Sequence, residues 1–189
     1  GRFVSDYMGL VRERNYAKDY IRQEDGGKKP KYIYQGTWYV VDLPDEEYKK
    51  LKFSYGISGI VLFAMLILAG LVNTGGSRTI YVVFPYIITV FPLIYTEIGI
   101  CNLVFGERRM TQKAYDYSLM RVRKSAAAIA VLAVCSAVGE LAYLIFASSG
   151  GNPAGEMIYL MAVTLMAAAA YLLGRRKVPV RTEASGQDS

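Results

Sequence analysis

The chain of 189 residues contains no histidine. Haem held by histidine, imidazole-bound zinc and histidine acid–base catalysis are excluded with it. Only two cysteines occur, Cys101 and Cys135, too few for a four-cysteine zinc or iron–sulfur site within one chain. Neither a GxxxxGK[ST] phosphate loop nor a GxSxG nucleophile elbow is present. The sequence therefore predicts no catalytic constellation, no metal site and no cofactor, and the chain reads as non-enzymatic.

Charge is also missing, but only in places. Residues 53–77 and 157–174 hold no Asp, Glu, Lys or Arg, and residues 79–106 and 125–155 hold one each, Glu97 and Glu140. Soluble domains carry about 25% charged residues spread along the chain; here they make up 20% and are segregated. An ordinary soluble globule is excluded, and an integral membrane protein is expected.

Crossing a hydrocarbon core of about 30 Å at about 1.5 Å per residue takes roughly 20 apolar residues in a helix, since backbone amides cannot stay unpaired in lipid. Four segments qualify: residues 54–72, 79–104, 126–148 and 154–174. The expected fold is an all-α membrane protein of four transmembrane helices in two hairpins. An N-terminal head over 1–53 and a disordered polar tail over 175–189 flank it. The second span contains Pro85 and Pro92, which remove backbone donors and mark a candidate hinge.

Basic residues orient the bundle. Lys and Arg number eleven in residues 1–53, one in the first hairpin loop (Arg78), six in 105–125, none in the second hairpin loop and four in the tail. The positive-inside rule then puts both termini on the cytoplasmic side of a multi-pass cell membrane. The net charge of +6 follows from this arrangement and from contact with anionic lipid. No motif for binding nucleic acid accompanies it. The first 50 residues hold no apolar stretch long enough for a signal peptide. With Gly1 in place of Met, the natural start is expected upstream.

The head shows a helix pattern over residues 6–23 capped by Ser5, a break at 26–30, and then two aromatic, β-branched runs, 32–34 and 38–41. Around residues 35–37 these read as a β-hairpin. Such a hairpin is marginal alone in water and needs a partner. Tyr32, Tyr34, Trp38 and Tyr39 are therefore candidates either for headgroup anchoring or for docking a cytoplasmic or membrane protein. Pro44 followed by three acids suits a helix start running into the first span. Tyr115, Leu119 and Val122 predict an amphipathic helix within 105–124. Each hairpin also carries a Gly-Gly turn followed by an Ile-Tyr pair, at offsets of 75 and 78 residues, a similarity that generic hairpin topology accounts for.

Acids inside a membrane are expensive and mark candidate sites. Counted from the basic side, Glu97 lies about 10 Å deep and Glu140 about 21 Å deep, so the two are not expected to form one pair. Ala133, Ser136, Ala137 and Tyr143 share the helical face of Glu140. Glu140 reads either as a proton- or cation-coupling carboxylate or as a structural partner in helix packing, including a partner for Arg78. Glu97 is expected to reach toward Arg108 and Arg109, and Glu156 is explained by capping beside Asn152 and Pro153. Cys101 and Cys135, about 5 Å and 14 Å deep, read as unbonded, buried small apolar residues. The leading functional expectation is an accessory or regulatory membrane subunit that docks a partner through its head. The alternative is a small homo-oligomeric, proton- or ion-coupled transporter built on the intramembrane carboxylate. A membrane enzyme relying on Glu, Tyr, Ser or Cys ranks behind both.

Overall fold

A computed structural model describes residues 16–23, 31–72, 74–147 and 152–184. Among these described residues, four helices are long and apolar enough to cross a membrane: α1 (Asp45–Leu71), α2 (Ile80–Phe105), α3 (Gln112–Phe146) and α4 (Pro153–Arg175). They match the four spans read from charge-free runs. α1 starts directly after Pro44, with Asp45, Glu46 and Glu47 in its first turn facing the positive dipole end. α3 packs most closely on α2 and α4, while α1 lies against α4 and, less closely, α2. The seams are built from small side chains, with Ala126, Ala133, Ala162 and Ala170 almost completely buried. Small residues bring helix backbones close where no hydrophobic effect separates protein from lipid. Phe53, Ile60, Phe84, Phe91 and Leu172 face outward instead, each more than half exposed, as a lipid-facing surface requires.

Both prolines lie inside α2, which continues through them. Thr89 donates to the Pro85 carbonyl at 2.8 Å and Thr96 to the Pro92 carbonyl at 2.9 Å, so each buried hydroxyl is satisfied within its own helix. Thr96 also bonds Ser125 of α3 at 2.7 Å. Pro85 has no N–H for the Tyr81 carbonyl four residues earlier. Gly139 of α3 packs against that oxygen: a Cβ there would stand 2.8 Å from it, so only glycine lets the two backbones approach this closely.

The extramembrane part departs from several expectations. Residues 32–34 and 38–41 do not form one hairpin. β1 (Tyr20–Gln23) pairs antiparallel with β2 (Lys31–Tyr34), whereas β3 (Trp38–Val41) is the centre of a second sheet between β4 (Arg109–Thr111) and β5 (Val180–Glu183). Tyr39 is registered against Met110 on one side and Thr182 on the other. Tyr34 folds over Gly36 and donates to the Thr37 carbonyl at 3.0 Å, which separates the two runs. Of the helix expected over 6–23, Tyr16–Asp19 form a 3-10 turn and Tyr20–Gln23 a strand. Its first ten residues, its Ser5 cap and the whole break at 26–30 lie outside the described residues. The tail is not disordered throughout, because Val180–Glu183 hydrogen-bonds to β3. The amphipathic helix within 105–124 exists as the start of α3, with a π-helical stretch at Asp116–Met120, and strand β4 precedes it.

Because one sheet joins the head, the segment between the hairpins and the tail, all three lie at one end of the bundle, called here the strand end. The hairpin turns form the opposite, loop end. Arg108 fastens the head: Nε donates to the Val41 carbonyl at 2.9 Å, Nη1 pairs with Asp45 at 2.7 Å, and Nη2 reaches the Leu43 carbonyl.

Candidate functional site

At the loop end, α3 and α4 each place one acid in the interior. Glu140 is completely buried and Glu156 is 3% exposed. Glu156 arrives there because α4 begins at Pro153, with Asn152 as its cap; the Asn152 side-chain oxygen accepts from the Gly155 N–H at 3.1 Å. One turn into α4 the side chain then points beneath the first hairpin loop. That loop, residues 74–78, folds over the acids as a lid. The Gly75 and Gly76 N–H groups donate to Glu156 Oε1 at 2.8 and 3.3 Å. Reciprocal bonds hold the lid's shape: Ser77 N–H to Thr74 Oγ1 at 2.9 Å and Thr74 N–H to Ser77 Oγ at 3.1 Å.

The Glu140 carboxyl lies beside Glu156 under the same loop, Glu140 against Gly76 and Glu156 against Gly75. Among the described residues, neither Glu140 oxygen receives an N–H or O–H, and Glu156 Oε2 receives none either. Two acceptors therefore meet with no donor between them until one carries a proton. Gly76 backs directly onto the Glu140 carboxyl, and Gly75 onto the Tyr143 hydroxyl. Toward the bundle centre the Tyr159 and Ser136 hydroxyls bond each other at 2.7 Å, and Ser136 contacts the Val82 carbonyl at 3.1 Å. Tyr86, its ring centroid 6.2 Å from that of Tyr159, donates to the Leu66 carbonyl at 2.8 Å. Further along lie the buried hydroxyls of Thr89, Thr96 and Ser118.

The sequence singled out Glu140 but not its partner. Measured from the loop end, Glu140 lies six residues before the end of α3 and Glu156 three after the start of α4, so the two acids are close to one level; capping hid that signal. Glu140 takes no hydrogen bond from Arg78. Glu97 is separate, half-buried against Gly59 of α1, and its Oε1 has no donor. The expected pairing with Arg108 does not form, because Arg108 is committed to Val41, Leu43 and Asp45. Pro85 and Pro92 are half-buried within α2. Cys101 and Cys135 are free, but exposed on the outer face rather than buried. Among the described residues no three His, Cys, Asp or Glu side chains converge.

The aromatic docking candidates are mostly occupied internally. Tyr39 stacks on Tyr115 at 4.5 Å, Trp38 lies under the Arg109 guanidinium at 4.5 Å, and the Tyr34 hydroxyl accepts from the Gln112 N–H at 3.0 Å. Tyr32 is 64% exposed. Compared with family models, curated proteins and solved structures, the chain matches none.

Proposed function

We propose that this multi-pass membrane protein binds and releases a proton at the Glu140–Glu156 pair, and that it serves as a small, homo-oligomeric proton-coupled transporter. The observation that carries the reading is a carboxyl pair buried in a helix bundle, with three of its four oxygens lacking a donor among the described residues. Such a pair holds one shared proton, since two adjacent buried carboxylates repel. Glu156 Oε1 already accepts the Gly75 and Gly76 N–H groups, so the shared proton bridges Glu140 and the other Glu156 oxygen. Next to the pair, the bonded Ser136 and Tyr159 hydroxyls offer relay groups, and the buried Thr89 and Thr96 hydroxyls follow at steps of about 10 Å toward the strand end. Four helices enclose little space for a solute, so a second copy is needed to complete a pathway. Following the basic residues, the strand end faces the cytoplasm of the cell membrane.

The test is proton flux into proteoliposomes. Wild-type protein is expected to dissipate an imposed proton gradient, and Glu140→Gln to abolish the flux while keeping the fold. No flux, or full flux in the variant, overturns the reading.

A second reading is favoured by the exposure of Tyr32: a non-enzymatic accessory subunit docking a membrane or cytoplasmic protein through the β1–β2 ribbon. Photocrosslinking at Tyr32 should then capture one stoichiometric partner; recovery of lipid and self-contacts alone counts against it.

A further inference from the structure

The strand end carries two adjoining hollows on the side of the bundle away from the carboxyl pair. The first is a cleft of about 230 Å³ bordered by Tyr55, Tyr115, Arg123, Arg176 and Lys177. The second is a groove of about 460 Å³ between α1 and α4, lined by Ser54, Ile57, Val61, Ala169, Leu172 and Arg176. Arg176 borders both. It donates to Ser54 Oγ at 2.5 Å, and its guanidinium lies 5.5 Å from the Tyr55 ring centre. Among the described residues no carboxylate pairs with Arg123, Arg176 or Lys177. Asp116, next to Tyr115 in the chain, accepts a bond from the Tyr16 hydroxyl at 3.0 Å.

We infer that these two hollows form one binding site for an anionic glycerophospholipid, its phosphate among Arg123, Arg176 and Lys177 and one acyl chain along the α1–α4 groove. The chemistry changes over the length that a lipid requires. Val61 lies seven residues beyond Ser54, and Ala169 seven before Arg176, so each helix carries the groove about 10 Å inward from the basic cluster. Ile57, Val61 and Leu172 are exposed along it, ready to be covered by a hydrocarbon chain. Guanidinium and ammonium groups at the headgroup level, with no carboxylate paired to them among the described residues, match a net-anionic headgroup rather than a zwitterionic one, whose phosphodiester carries its own cation. A free phosphate would use the cleft and leave the groove uncovered. The site is independent of the carboxyl pair and stands whether or not the protein moves protons.

The full chain in detergent, titrated with phosphatidylglycerol, phosphatidylcholine or inorganic phosphate and followed by native mass spectrometry, tests this. One phosphatidylglycerol should be retained at least tenfold more tightly than phosphatidylcholine. Each basic residue near an anionic surface contributes about a fivefold change, so Arg123→Gln/Arg176→Gln/Lys177→Gln should weaken retention about a hundredfold, and Lys49→Gln/Lys50→Gln should not. Ala169→Trp, which fills the groove and leaves the cluster intact, should weaken it at least tenfold. If the triple variant fails to fold, Lys177→Gln and Ala169→Trp decide, with about fivefold and tenfold losses expected. Equal retention of both lipids, or full retention in Ala169→Trp, overturns the site. So does displacement of the lipid by inorganic phosphate with Ala169→Trp unaffected, which would mark a simple anion cleft.

Discussion

Gly76 of the first hairpin loop lies directly against the carboxyl of Glu140 on α3, so that a side chain at position 76 would overlap both carboxyl oxygens. The lid and the buried acid are thus fitted to each other through the absence of a single Cβ. Gly76→Ala must lift the loop or drive the carboxyl aside, and forced overpacking of this kind costs about 1–3 kcal/mol. Gly56 of α1 has nothing within 4 Å of its own Cβ position. Gly56→Ala should instead be neutral or stabilise by up to about 1 kcal/mol through reduced backbone entropy. Thermal unfolding of the two variants in detergent compares them; equal effects would contradict the fit.

Glu140 and Glu156 should differ sharply on substitution. Glu140→Gln retains a donor toward Glu156, so stability should change by less than about 0.6 kcal/mol, the average contribution of an interhelical hydrogen bond in a membrane. Glu156→Leu removes the acceptor of the Gly75 and Gly76 N–H groups and strands Glu140, at a cost of about 3 kcal/mol. Denaturation in mixed micelles should rank them in that order; the reverse order would mean that the lid is not held by Glu156.

The four helices were legible because a charge-free run of about 20 residues has few folded solutions outside a membrane. Glu140 was legible for the same reason, as a charge where none is affordable. Glu156 was not, since depth along one helix says nothing about which neighbour shares the level, and Asn152 and Pro153 supplied a sufficient local explanation. The three-stranded sheet was invisible because β3, β4 and β5 are only three or four residues long and acquire their pairing from distant segments. Gln35-Gly36-Thr37 between two aromatic runs mimics a hairpin turn, yet Tyr34 closes over Gly36 and the runs join different sheets.

Arg108 holds the turn between β3 and α1 with three hydrogen bonds. In Arg108→Ala the sheet should open more readily. Amide exchange over Trp38–Val41 should accelerate about tenfold or more, corresponding to about 1.4 kcal/mol. Unchanged protection would show that strand pairing alone secures the head.

Burial pushes the Tyr34 phenol above its ordinary value of 10.0, with the Gln112 N–H opposing the shift. The folded head therefore favours the neutral phenol. That contribution is complete below about pH 10 and is lost as the pH rises through the higher folded-state value. Trp38, the chain's single tryptophan, has its ring centre 5.0 Å from that of Tyr34 and reports the head directly. Its fluorescence should hold up to about pH 10 and change above it, with the change reduced in Tyr34→Phe. A transition well below pH 10 would contradict the assignment.

The most direct test is infrared difference spectroscopy on the full chain in lipid nanodiscs during a pH titration. A shared proton on the acid pair predicts a protonated-carboxyl band at neutral pH that disappears in Glu140→Gln and persists in Glu97→Gln. A neutral-pH spectrum without that band, or one that Glu140→Gln leaves unchanged, would contradict the account.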